Sequence, residues 1–445
     1  MAPRVSEPTV ALQDLLPWPD RHAGYSGYLG LLFFAVVIIT YYLPGADIAA
    51  AVAVGSVIIG LSLGSLHLRW RLEATALVVL LGLDALSLRD SLDPVWAAQR
   101  TTEFAKITLV FLASVHVLST GRRVAAFATA WFGLFMLFPV RGALFNYARG
   151  YRLLGRALWN YVWNNPNDLA AGALLTAAIG GALLYVFRRG PARLGVLAGL
   201  TLIGVVILLT GSRGVFVGSA GAALILVWRS QHKVKALVTI GACLLVIVAA
   251  APQDIRDRLW TLGQLDDPNA IRSYDQGSAK ERLQVWKSAF AIIRDHPVLG
   301  VGVGAFPKAN EDYAKEVAEG GAIFGRAGAP REDAHSTYLT VWTELGTVGL
   351  LAYCTLLGAT WHRLRSVRQR WGRVAPWACA PLGVLEAGLV GYTLACLWAT
   401  YTVLTLPYLF LAVISSWATT VDDWARDRES TKRLAAAAIG RGRTP

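Results

Sequence analysis

Apolar runs of about twenty residues recur along this chain, and no other feature constrains its fold as strongly. "GYLGLLFFAVVIIT" (27–40) and "LGVLAGLTLIGVVILLT" (194–210) are two of them. An apolar helix of about 20 residues matches the roughly 30 Å hydrocarbon core of a bilayer. Within that core every backbone N–H and C=O must find a partner inside the protein, so only helices and closed barrels span it. A barrel would show short alternating strands, which are not seen here. Composition agrees: 55% of the 445 residues are hydrophobic, only 16% are charged, and the mean hydropathy is +0.47. Soluble domains carry about 25% charged residues. The expectation is an all-α polytopic integral membrane protein. About twelve transmembrane helices are expected near 25–44, 47–65, 73–88, 103–120, 122–140, 168–187, 192–210, 213–229, 234–251, 336–361, 377–399 and 402–419. The polar start "MAPRVSEPTVALQDLLPWPDRH" lacks the layout of a cleaved signal peptide, so the first span is expected to be retained.

The net charge of +13 invites a nucleic-acid reading, but its distribution argues against one. Basic residues gather in alternate loops: "HLRWR" (67–71), "GRR" (121–123), "RRGPAR" (188–193), "RSQHKVK" (229–235) and "HRLRSVRQRWGR" (362–373). With twelve spans these all fall on the side of both termini, which the positive-inside rule makes the cytoplasm. The organisation expected is helices 1–9 over 1–251 with a short periplasmic segment at 141–168, then a large, partly helical periplasmic loop at 252–335 before the tenth span. Helices 10–12 follow over 336–419, with a basic cytoplasmic tail at 420–445. Arg141, Arg149, Arg152 and Arg156 then lie outside, against the rule. Two readings stand for them: contacts to an anionic ligand at the membrane face, or a surface segment on lipid headgroups. The four cysteines (Cys243, Cys354, Cys379, Cys396) lie in apolar stretches without metal-ligand spacing and read as packing residues.

Arg213 stands between two apolar runs, in "TGSRG". An arginine there is costly without a partner. It opens a helix, where backbone N–H groups and a guanidinium fork suit a phosphate. The alternative is a snorkelling loop arginine. In the long loop, Ser278 is placed to cap a helix "AKERLQVWKSAFAIIRDHP" whose apolar stripe reads Leu283, Trp286, Phe290 and Ile293. Lys280, Arg282 and Lys287 lie off that stripe, so periodicity alone makes Arg282 a solvated charge. Gly300, Gly302 and Gly304 alternate in "DHPVLGVGVGAF", which reads as a flexible turn rather than a dinucleotide fingerprint. His335 closes the loop, with acidic neighbours Glu332 and Asp333. A lone histidine is commonly structural, yet a neutral imidazole is a workable base near neutral pH. No metal-ligand motif or DxD occurs.

"NPNDLA" (165–170), "TGSRGVFVG" (210–218), "ERLQVWKSAF" (281–290), "DHPVLGVGVGAF" (295–306) and "AHSTYLTVWTELGTVGLL" (334–351) together resemble the bacterial O-antigen ligase and polymerase superfamily. The resemblance covers roughly 160–360; the first five spans match in hydropathy only. It implies an inner-membrane glycosyltransferase of lipopolysaccharide assembly that works at the periplasmic face without metal, ATP or another cofactor. Its implied donor is a polysaccharide on undecaprenyl diphosphate and its implied acceptor is a sugar hydroxyl of lipid A–core. Arg213 and Arg282 match the family's diphosphate-binding arginines, and His335 matches the histidine that serves the acceptor hydroxyl. Arg141, Arg149, Arg152 and Arg156 are further candidates for phosphate contacts. Ser336 departs from the family, where many members have Asn. An O-antigen or exopolysaccharide polymerase and a protein O-oligosaccharyltransferase would use the same donor. A transporter would be expected to show ionisable groups or broken helices near mid-membrane, and neither is visible in the sequence.

Overall fold

The structure is a computed structural model that describes residues 24–40, 45–89, 91–249, 252, 253, 256, 277–317, 333–402 and 404–441. Glu332, the Lys280 side chain and most of 252–276 lie outside the described residues. The chain forms α1 (Tyr25–Thr40), α2 (Ala46–Ser62), α3 (Leu72–Ser87), α4 (Pro94–Val117) and α5 (Gly121–Phe135). α5 passes through a π-helical turn at Met136–Val140, which accommodates Pro139, into α6 (Arg141–Ala148). Then come α7 (Pro166–Val186), α8 (Gly190–Thr210), α9 (Arg213–Arg229) and α10 (Lys233–Ala249). The long loop carries α11 (Gly277–Asp295) and α12 (Phe306–Val317), and the chain closes with α13 (Thr337–Trp371), α14 (Pro376–Ala395) and α15 (Thr405–Arg441).

A helix stands at each of the twelve expected apolar segments. Among the described residues five are long and apolar enough to cross a bilayer: Gly121–Ala148, Pro166–Val186, Gly190–Thr210, Thr337–Trp371 and Pro376–Ala395. α1 and α2 are apolar but shorter. Several boundaries differ from expectation; the helix expected at 336–361, for one, runs on to Trp371. α4 begins at Pro94, because Asp93 caps it by accepting from the Trp96 amide. α15 runs unbroken through the expected start of the tail at 420.

Helix packing explains the small residues. Apolar burial gives no drive between helices surrounded by lipid, so close van der Waals approach carries association. α9 lies directly on α14, where a methyl group at Gly218 would collide with the Gly391 carbonyl. Large aromatics fill the space elsewhere and keep their polar atoms bonded. Trp131 of α5 donates to Thr176 Oγ1 of α7 (3.0 Å), and Trp163 donates to the Ile39 carbonyl (3.1 Å). Cys379 and Cys396 are buried, as packing residues should be, but Cys354 is exposed.

α13 is broken. Gly346 has φ 64° and ψ −168°, because the Val298 carbonyl passes where any Cβ would stand. Residues 297–302 enter this gap. The amides of Val301 and Gly302 donate to the Thr343 and Glu344 carbonyls at 2.9 and 3.0 Å, and the amides of Thr347 and Val348 donate to Pro297 and Val298 at 2.9 and 3.4 Å. Irregular backbone at membrane depth survives when its polar groups are satisfied inside the protein, and this is such a case. Two expectations are corrected here. The 300–304 segment is not a loose turn: its glycines have φ of 69°, 100° and 70° and lie against Glu344, Ser91 and Trp96. Ionisable residues and a broken helix are also present within the bundle, at Asp84, Glu344 and Gly346. The freed ends of α13 are occupied by the chain's own loop, which differs from a half-helix end held open for cargo.

α11 packs on the bundle with a different face from the one expected. Leu283 and Phe290 are 60% and 53% exposed, whereas Val285, Ala289 and Ile292 are buried with Ile293. The stripe is rotated because the helix must serve two neighbours, α12 and α13. Together with Val301, Phe306, Ala309, Ala334 and Leu339 it forms a second, smaller core over the bundle mouth. The helix starts at Gly277, so Ser278 lies inside its first turn.

Candidate functional site

Successive helices of the bundle run in opposite directions, so the start of α9, the start of α13 and the link between α14 and α15 meet at one end. The link holds the other two. The Thr337 amide donates to the carbonyls of Cys396 (2.9 Å) and Ala399 (3.0 Å). The Thr337 hydroxyl donates to Ala399 (2.8 Å) and accepts from the Tyr401 amide (3.0 Å). On the far side of the link, Gly214 lies directly under Trp398. Arg213, next to Gly214, and His335, two residues before Thr337, therefore flank the same short segment.

Arg213 is the first residue of α9, half-buried, after Gly211 (φ 58°) turns the chain sharply out of α8. Its neighbour amides head the helix and carry the positive end of its dipole. Arg156 is folded into the same turn. Its Nε donates to the Thr210 carbonyl at 2.5 Å and its terminal nitrogen to Asn167 Oδ1 at 2.7 Å. The other three external arginines do not follow it. Arg149 and Arg152 are exposed and lie 3.9 Å over the rings of Phe145 and Tyr147, and Arg141 is exposed at the start of α6.

Arg282 is half-buried rather than solvated, a consequence of the rotated packing face of α11. It lies one helical turn from Trp286, whose Nε1 donates to the Ala334 carbonyl at 3.0 Å, immediately before His335. Tyr401, in the α14–α15 link and 1% exposed, lies within electrostatic reach of Asp168, Arg282 and Arg156. Burial pushes its phenol well above the ordinary range.

His335 is half-buried with φ 50°, a left-handed conformation costly for a residue with a Cβ. The surroundings enforce it: Ala334 is tied to Trp286, and Ser336 begins α13. Ser336 caps that helix by accepting from the Leu339 amide (3.5 Å), a task Asn and Ser perform about equally. The departure from the family's Asn therefore leaves the local geometry supported. Asp333, one of the acidic neighbours of His335, accepts a hydrogen bond from the Thr400 hydroxyl (2.7 Å).

A cavity of about 400 Å³ opens beside this cluster, between α3, α4, α13 and the inserted loop. Asp333 and Asp168 line it on the histidine side, Asp84 and Glu344 on the other, with Trp96, Arg100 and Tyr408 in its wall. Sequence reading missed Asp84 and Glu344. The available signal was a lone acid within an apolar run, in "LLGLDALS" and "VWTELGTV". Among the described residues no group of three or more His, Cys, Asp or Glu side chains has a metal-binding arrangement.

Residues 197–354 match the family model described as O-antigen ligase. The matched stretch contains Arg213, Arg282, the inserted glycine segment and His335, and ends within α13. It supports the O-antigen ligase superfamily and a lipid-linked glycan transfer, without separating ligase from polymerase. A comparison with curated proteins gives no significant match.

Proposed function

We propose that this chain transfers a polysaccharide from undecaprenyl diphosphate to a sugar hydroxyl of lipid A–core, at the periplasmic face of a twelve-span inner-membrane bundle. One observation carries the reading. The O-antigen ligase match spans Arg213, Arg282 and His335, and these residues flank or reach one link between α14 and α15.

The chemistry suits such a site. The acceptor oxygen attacks the anomeric carbon of the first donor sugar. The new carbon–oxygen bond forms as the bond to diphosphate breaks, and the electron pair leaves on the diphosphate. Arg213, the α9 amides and Arg282 hold the charge that grows there, and removing one such donor typically costs about 3 kcal/mol. His335 takes the hydroxyl proton, a role worth about 10²–10⁴-fold in rate. A single displacement inverts the anomeric centre. Arg156 positions the turn that carries Arg213 by bonding to Thr210 and Asn167.

The test is reconstitution of purified protein with undecaprenyl-diphosphate glycan and lipid A–core, in the presence of chelator. Transfer to lipid A–core that is lost in His335→Ala is the expected result. Chain growth on the lipid carrier without transfer to lipid A–core would instead favour a polymerase, and transfer to a protein hydroxyl an O-oligosaccharyltransferase.

A further inference from the structure

Beside the arginines lies a cavity lined by carboxyl groups. Four carboxyl groups, from Asp84, Asp168, Asp333 and Glu344, line one cavity with the Arg100 guanidinium. Two of them are engaged: Asp333 accepts from Thr400, and Glu344 accepts from the Phe306 amide at 3.4 Å. Asp84 is not. It is 4% exposed, it lines the cavity, and among the described residues its carboxyl has no hydrogen-bond or ion-pair partner. Buried polar groups are nearly always bonded, so an orphaned buried carboxyl asks for a donor from elsewhere. The rest of the wall narrows the identity of that donor. Trp96, Phe104 and Tyr408 make the wall aromatic, Thr340 adds a hydroxyl that also bonds Ser336 and Thr400, and the volume of about 400 Å³ falls in the range of small-molecule sites. A ligand that brings several O–H donors, a flat apolar C–H face and no negative charge fits all of this. Phosphate and carboxylate do not, because a desolvated anion would lie among four carboxyl groups with only the Arg100 guanidinium in the wall to offset its lost hydration.

We infer that this cavity holds the receiving sugar of the acceptor as a neutral, hydroxyl-rich ring, and that it rejects rings carrying phosphate or carboxylate. The inference rests on the transferase reading above and adds a specificity to it. The acceptor rather than the donor belongs here because the cavity reaches Asp333, two residues before His335, while the diphosphate is drawn to the arginine side. A hydroxyl presented from the cavity then meets the imidazole and the anomeric carbon together.

The experiment uses the full chain in lipid nanodiscs and reads binding by saturation-transfer NMR. The probes are methyl β-D-glucopyranoside and the corresponding uronic acid. The neutral probe should give a saturable signal and the uronic acid should bind at least about tenfold more weakly. Asp84→Asn replaces the carboxyl without breaking a contact among the described residues, so its melting temperature should match that of the parent. It should weaken the neutral probe by about tenfold, as loss of a buried hydrogen-bond partner implies, and narrow the discrimination. Glycan-loaded undecaprenyl diphosphate should leave the neutral probe bound; displacement would assign the cavity to the donor sugar and overturn the inference. No saturable signal, equal binding of the two probes, or parental binding in a folded Asp84→Asn would each overturn it as well. Binding needs no turnover, so a failure of the transferase reading shows separately, as sugar binding without transfer.

Discussion

At the end of the bundle where α9 and α13 finish, Glu73 and Glu386 are each 1% exposed, and each is held by arginine. Arg363 grips Glu73 with two nitrogens at 2.7 and 3.2 Å, and Ser415 adds a third bond at 3.2 Å. Arg229 and Arg368 both pair with Glu386, the latter at 3.1 Å. Asp422, just beyond, is partly buried, which works against its charge, yet hydrogen bonds from Trp371 and Arg426 hold its carboxyl below the ordinary range. At the opposite end, Asp84 is as well buried but has no such partner among the described residues, and the arginines gather around the turn before α9. Desolvated charge is costly at either end. Where opposite charges are matched one to one, their pairing explains their presence. Where carboxyls line a cavity instead, Asp84 has no counterpart among the described residues.

The comparison breaks if the paired end proves functional or the cavity end proves structural. The largest expected effect is at the paired end. Glu386→Gln leaves Arg229 and Arg368 facing a neutral amide and should destabilise the fold by about 3–5 kcal/mol, as loss of one buried partner does. Thermal unfolding in nanodiscs reads this, and transfer per folded molecule should persist. Arg213→Ala should do the reverse, with transfer falling about 10²–10³-fold and the melting temperature nearly unchanged. Trp286→Phe removes the bond to the Ala334 carbonyl, worth about 1 kcal/mol, and lets the backbone at His335 relax. Its transfer rate should drop several-fold while undecaprenyl diphosphate binding, followed by calorimetry, stays intact. The smallest effect belongs to Asp295, where α11 ends. Bonds from Arg294 and from the Tyr313 hydroxyl of α12 (3.1 Å) hold its carboxyl below the ordinary range. A depressed carboxyl contributes stability above its unfolded pKa, about 3.9, and loses it as pH falls through the folded value. Hydrogen exchange in α11 and α12 should therefore rise only below about pH 4 and stay level between pH 5 and 8.

Much of the scaffold was readable in advance, and the reason is local. An apolar run of about twenty residues reports its own helix, so all twelve helix positions emerged from hydropathy. What hydropathy cannot report is which neighbour fills a gap. The break at Gly346 depends on Val298, some fifty residues earlier, entering α13. "ELGTVGLL" carries glycines that a helix also tolerates. The burial of Arg282 depends on α11 serving α12 and α13 at once, which a single helical stripe does not encode. Asp84 and Glu344 are visible as lone acids, but their common cavity exists only because the 300–304 segment folds between α3, α4 and α13. The resemblance in the motifs supplied Arg213, Arg282 and His335, and Arg156 was one of four equal candidates until its bonds to Thr210 and Asn167 distinguished it.

His335 is the proposed base, and its sequence neighbour Asp333 lines the carboxyl cavity. Single-turnover transfer from undecaprenyl-diphosphate glycan to lipid A–core, by His335→Ala and its parent in the same nanodiscs, tests that role most directly. The account predicts a fall of about 10²–10⁴-fold with donor binding and melting temperature preserved. A folded His335→Ala protein that transfers at the parental rate would contradict it.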